Sequence, residues 1–164
     1  MPSEPLVTNY VNAVGVGDVK DVTLSLDTNA YASADVLAAP QEVTNFFRRP
    51  GGRAYLHSIL VLDVSDQGTA FDLLFMNATG SIGAENAAFS PTDAVAGTIL
   101  ASVSVTAADF VDAINSQYAI KTNIGQMIKC AAGTTSVWVA AVCRSGTPTY
   151  AADGLQLKIS AMWD

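Results

Sequence analysis

Apolar and polar residues alternate along much of this chain, most clearly over residues 155–163. There Leu155, Leu157, Ile159, Ala161 and Trp163 interleave with Gln156, Lys158, Ser160 and Met162. That pattern predicts a strand with one buried and one largely wet face, paired inside a sheet. Residues 136–144 form a second run of similar length, rich in β-branched, aromatic and small apolar types. The segment joining them holds Gly146, Pro148, Asp153 and Gly154, which reads as a turn-rich connection.

The same reading extends over the rest of the chain. Val22, Leu24 and Leu26 alternate with Thr23, Ser25 and Asp27, giving a half-buried strand. A turn over residues 29–35 follows, and Val36 and Leu37 open a short strand ahead of Pro40. Residues 55–64 form a long strand whose continuous centre, Ile59-Leu60-Val61-Leu62, is the pattern expected of burial on both faces. Residues 63–68 turn the chain into a returning strand at 71–76, closed by residues 77–80. In the longer connection over 86–97, Ser90-Pro91-Thr92-Asp93 supplies an N-cap, a proline at the first helical position and an acid in the first turn. A short helix running to Gly97 is expected there.

Residues 99–105 resume strand alternation, whereas 106–115 fit either a helical face through Phe110, Val111 and Ile114 or a loop at 107–109. Tyr118, Ile120 and Ile124 open a further β-rich section that continues through Met127-Ile128-Lys129-Cys130 to a turn at 132–135. Short strands at this spacing, without αβ alternation, predict an all-β, jelly-roll-like β-sandwich of about eight strands. Residues 1–20 contain two prolines and no sustained period, and read as an extended N-terminal arm ahead of a single sandwich domain at 21–164. The arm's scattered apolar residues, Tyr10 and Val11 among them, suit contact with a neighbouring subunit, as an alternative to a frayed terminus.

Composition changes this picture in one respect. At 164 residues the chain is long enough for one well-packed core. Charged residues are only 14% and hydrophobic ones 50%, with a mean hydropathy of +0.31. Two readings fit: apolar surface covered by other subunits, or an Ala-rich sandwich whose polar face uses Ser, Thr and Asn. The net charge of −7 and pI near 4.4 argue against a nucleic-acid partner, which requires clustered cations. No run approaches the roughly 18 apolar residues of a membrane-spanning helix, so no membrane partner is expected. Met1-Pro2-Ser3-Glu4-Pro5 lacks the basic start and apolar centre of a secretory signal, and synthesis in a cytoplasm is expected.

Little of the chain's chemistry points to a reaction. Cys130 and Cys143 suit buried free thiols in a reducing compartment, or a disulfide if their strands are neighbours. With a single His, His57, they cannot assemble a zinc site, and no metal or cofactor is expected. His57 lies in a strand pattern, far from any serine motif, and no Gly-x-Ser-x-Gly elbow occurs. Asp63, Asp66 and Asp72 lack the spacing of a calcium loop; a turn explains Asp66 and an outward strand position explains Asp72. Two carboxylates meeting in space could still serve a glycosidase, which sequence cannot locate. Trp138, Trp163, Tyr31, Tyr55, Tyr118 and Tyr150 offer material for a sugar-stacking platform or, equally, for core and interface packing. The one basic cluster is Arg48, Arg49 and Arg53 around Pro50-Gly51-Gly52, suited to docking on an acidic protein surface or to offsetting nearby acids.

The order of several motifs carries a resemblance. Asp27-Thr28-Asn29-Ala30-Tyr31-Ala32-Ser33-Ala34-Asp35-Val36, Pro50-Gly51-Gly52 leading into Ile59-Leu60-Val61-Leu62-Asp63, and Asn86-Ala87-Ala88-Phe89 come first. Arg144-Ser145-Gly146-Thr147-Pro148-Thr149-Tyr150 then precedes the final strand. Together, from residue 21 to 164, they resemble small virion structural proteins of tailed bacteriophages. The resemblance implies a non-enzymatic jelly-roll protein of the particle, of the head decoration or cement type, sitting as a homotrimer on the major capsid protein. It implies location on the capsid surface after synthesis in the host bacterial cytoplasm. A tail- or fibre-associated carbohydrate-binding or host-adhesion module is the alternative. Tyr10, Val11, Arg48, Arg49 and Arg53 are the residues expected to touch partners.

Overall fold

The computed structural model describes residues 17–163. Ten strands form two antiparallel sheets packed face to face. They are β1 (Gly17–Leu24), β2 (Val36–Val43), β3 (Arg53–Asp63), β4 (Phe71–Met76), β5 (Ile99–Val105), β6 (Phe110–Asp112), β7 (Gln117–Lys121), β8 (Gln126–Lys129), β9 (Val137–Cys143) and β10 (Leu155–Trp163). The six-stranded sheet runs β1-β10-β3-β7-β6, with β8 also pairing β3, and the four-stranded sheet runs β2-β9-β4-β5.

Leaving out the short β6 and β8, the pairings are nested: β1 with β10, β2 with β9, β3 with β7 and β4 with β5. One long antiparallel ribbon is thus rolled up, and the contacts β10 to β3 and β9 to β4 close the roll. This is the jelly-roll arrangement that the strand spacing predicted. The inner faces bury Phe71, Phe75, Leu56, Ile59 and Leu157 together with both Tyr31 and Tyr150.

Several local expectations change. β1 begins at Gly17, so residues 17–20 of the expected arm are strand, paired with Ile159 to Met162. Tyr10 and Val11 lie outside the described residues. β2 continues through Pro40 to Val43 instead of stopping short of the proline. It is an edge strand whose register against β9 shifts twice, and an edge tolerates a residue without an N–H. Helix α1 (Asp93–Ala96) is capped by Thr92, whose Oγ1 accepts from Val95 N, and not by Ser90. The Ser90 N–H donates to the Ile82 carbonyl at 2.8 Å instead. In the ambiguous 106–115 segment, Ala107–Asp109 makes one 3-10 turn and β6 follows.

The two outer faces differ. The β4–β5 connection, residues 77–98, folds back over the four-stranded sheet, where Val36, Leu74, Met76, Ile82, Ala140 and Val142 form a second buried cluster. Phe89, Val95 and Trp138 pack against it. β4 and β9 are therefore covered on both sides. β3, expected to be, is covered on one side only: Leu60 and Leu62 on its outer face are half-buried.

Candidate interaction surfaces

Antiparallel pairing gives the sandwich two ends with different chemistry. At one end lie the β2–β3 loop, residues 44–52, the start of β3, and β8 with the turn that follows it. The loop is seated firmly. Phe46 and Phe47 are buried edge to face at 5.2 Å, the Trp163 indole N–H donates to the Phe46 carbonyl at 2.7 Å, and Phe47 N donates to the Thr135 carbonyl at 2.9 Å. Gly51 adopts φ 68°, and a Cβ on Gly52 would lie 2.7 Å from the Arg49 carbonyl oxygen, so the tight turn demands the glycine pair.

That footing presents Arg48, Arg49 and Arg53 to solvent. The fold adds a fourth cation that sequence reading missed. Lys129 on β8 stands directly opposite Arg53 on β3, a like-charge cross-strand pair that is unfavourable unless something neutralises it. Register, which sequence does not print, is what brings Lys129 here. The chain's other four cations are each paired with an aspartate: Lys20 with Asp18, Lys121 with Asp109, Arg144 with Asp72 and Lys158 with Asp21. Arg48, Arg53 and Lys129 make no ion pair among the described residues. Arg49 is held by a contact of its own. Residues 43–53 and 122–137, which build this part of the end, contain no Asp or Glu, and Asp18 and Glu42 stand at the neighbouring strand ends.

The opposite end is acidic and internally laced. Its four connections, 25–35, 64–70, 106–116 and 144–154, carry Asp27, Asp35, Asp66, Asp109, Asp112 and Asp153 against Arg144 alone. Just inside it, Asp63 is fully buried at the end of β3. Its carboxylate accepts from Ser65 N at 3.0 Å, Gln67 N at 2.9 Å and Gly68 N at 2.8 Å, and so shapes the β3–β4 turn. Asp66 sits in that turn at φ 56°, and Asp72 reaches Arg144 Nε at 2.6 Å and the Ser104 hydroxyl. The Asp63 and Asp72 carboxylates are thus occupied by the protein itself, and among the described residues no group of three or more His, Cys, Asp or Glu is placed to hold a metal.

The motif Gly146-Thr147-Pro148-Thr149-Tyr150 lies at this end and is a packing element. Tyr150 is buried, shares a 2.8 Å hydrogen bond with Thr69 Oγ1, and stacks edge to face on Tyr31 at 6.3 Å. The Pro148 carbonyl accepts from Tyr31 N at 2.9 Å. Burial pushes the Tyr31 phenol up to about 12 and raises Tyr150 further still.

The remaining sequence candidates are dispersed. His57 is exposed at a bulge of β3, where the register against β10 shifts, and its carbonyl accepts from Ile124 N at 3.2 Å. Cys130 and Cys143 are both buried and free. One lies beside the Gly52 carbonyl at the basic end and the other at the acidic end of β9, so they are not neighbours. Burial raises the Cys143 thiol above its ordinary range.

The six aromatics weighed for sugar stacking do not form a platform. Tyr31 and Tyr150 are buried, Trp138 and Trp163 half-buried. Tyr55 and Tyr118 are exposed, but Tyr118 faces Leu62, seven positions along β3 from Tyr55. At strand rise that is about 23 Å.

Among the described residues no helix is long and apolar enough to cross a membrane. No protein-family model matches the chain, and no curated protein does. A solved structure titled Desmodium yellow mottle tymovirus aligns with 99% of this chain and 89% of its own, at 12% identity and a TM-score of 0.30. A likeness of that size carries no argument about function.

Proposed function

We propose that this chain is a structural protein of a bacteriophage particle, a head decoration or cement protein that docks on the capsid lattice as a homotrimer and reinforces contacts between capsomers. It is not an enzyme in this reading, and its ligands are protein surfaces. The observation that carries it is the segregation of charge: four of the eight cations of an acidic protein are gathered on one rigid end, three of them without an ion-pair partner among the described residues. Such an end suits an acidic shell, to which it is drawn while the acidic end faces away. The jelly-roll topology and the motifs shared with small phage virion proteins support the same reading. So do side chains engaged in turns and packing instead of being left poised for chemistry.

The test is binding of the purified protein to particles from which it has been left out. The charge reversal R48E/R53E is expected to abolish binding at moderate salt, and the wild-type interaction to weaken steadily as salt is raised. Undiminished binding by R48E/R53E would remove the basic end from the docking assignment. Retention on a glycan array, lost when Tyr55 or Tyr118 is replaced by Ala, would instead favour the tail- or fibre-associated adhesion module.

A further inference from the structure

We infer that the outer face of the six-stranded sheet is the surface through which copies of this chain associate with one another, an assignment that rests on the self-association in the reading above and names its seam. Nine large apolar residues are exposed in the described chain, and seven of them lie on this face: Val19, Tyr55, Val111, Tyr118, Ile120, Met127 and Met162. The other two, Val64 and Ile114, sit in connections at the acidic end. None is on the outer face of the four-stranded sheet, because residues 77–98 already cover it. Among the described residues, one sheet is thus covered by its own chain and the other is left open.

Register turns these residues into continuous rows. Met162 on β10, Tyr55 on β3 and Met127 on β8 stand side by side across three strands. Farther along, Ile120 pairs with Leu60, and Val111 with Tyr118 and then Leu62. Between Leu60, Leu62, Gln156 and the Asp21–Lys158 pair the surface has a hollow of about 120 Å3, room for a side chain.

Charge on this face is either satisfied or confined to one edge. Asp21 and Lys158, which stand in the same cross-strand row as Leu60 and Ile120, neutralise each other at 2.6 Å, and Arg53 and Lys129 stand at the basic end. The strands of this sheet hold about 40 residues, which at about 4.8 Å spacing and about 3.3 Å rise cover a plane of about 630 Å2. That approaches the roughly 800 Å2 that one partner contributes to a stable protein interface. The occupant that meets these conditions is a second copy of the chain. Away from the basic edge, an anionic or strongly charged partner would find only the self-neutralised pair Asp21–Lys158.

Sedimentation equilibrium on the wild-type chain, without particles, is the experiment. The wild type is expected to be oligomeric at micromolar concentration. I120K/M127K, which alters two side chains already half exposed, is expected to shift the equilibrium by at least tenfold toward a monomer with an unchanged far-ultraviolet spectrum. S102K, on the outer side of β5 in the other sheet, should leave the oligomer intact. A wild type that is monomeric at high micromolar concentration overturns the inference, as does an I120K/M127K variant that remains fully oligomeric. R48E, in the β2–β3 loop beyond this face, separates the two readings: it should weaken particle binding and keep the oligomer, so failure of docking and failure of the seam give different results.

Discussion

Replacing Asp63 by Asn tests whether the β3–β4 turn is held by a buried carboxylate. In the wild type the side chain is fully buried and accepts three backbone N–H groups, one on Oδ1 and two on Oδ2. Asparagine has one acceptor oxygen. Oriented to keep the bonds from Gln67 N and Gly68 N, it points its amide group at the Ser65 N–H and leaves a buried donor facing another donor. Exchanging two charge-assisted bonds for neutral ones loses roughly 0.5–1 kcal/mol each, and the orphaned N–H costs about 1–3 kcal/mol, so the sum is about 3 kcal/mol. For a chain of this length that is a fall in melting temperature of about 6–12 °C. Guanidinium unfolding at fixed protein concentration reads it directly, as a lower midpoint with an unchanged slope. A loss of less than about 1 kcal/mol would refute the account, since it would mean the three N–H groups find water or another acceptor when the carboxylate is gone.

Asp109 is held down to about 2, first by the Thr106 backbone N–H, then by the Thr106 hydroxyl and by Lys121. A depressed carboxylate stabilises the fold at pH values above its unfolded pKa of about 4, and the benefit fades as pH falls from there toward 2. Wild type should therefore exceed D109N by about 1 kcal/mol near neutrality, allowing for solvent screening, with the gap closing in acid melts. Ile82→Ala should cost about 2–4 kcal/mol in thermal or denaturant unfolding because the side chain is fully buried beneath the 77–98 cover, whereas Ile114→Ala, 85% exposed, should change stability by less than about 0.5 kcal/mol. The reverse order would show that the cover is not packed as described.

How much of this could be read from the sequence depends on whether the signal was local. Strict alternation in residues 155–163 announces β10 because one face packs on the core and the other does not. Apolar runs are less informative. Ile59-Leu60-Val61-Leu62 suggests cover on both sides, yet it is β4 and β9 that have it, and the difference lies in where the distant 77–98 segment lands. Pro40 reads as a stop because sequence does not say that β2 is an edge.

The basic site was half legible. Arg48, Arg49 and Arg53 are close in the chain, but Lys129 joins them only through the β3–β8 register, 76 positions beyond Arg53 in the numbering. The glycan-platform reading fails for the same reason, since the pleat and the core, not composition, decide which of six aromatics stay outside.

The position of β10 between β1 and β3 sets a timetable for folding. Residues 17–24 and 53–63 are synthesised early, yet the strand that bridges them is made from residues 155–163, so the larger sheet cannot close while those residues are still inside the ribosome. Until then two strand edges lack their central neighbour, a slow, long-range pairing that invites sticking between nascent chains. Emergence of residues 155–163, more than any local step, is the event that commits the larger sheet to its final form.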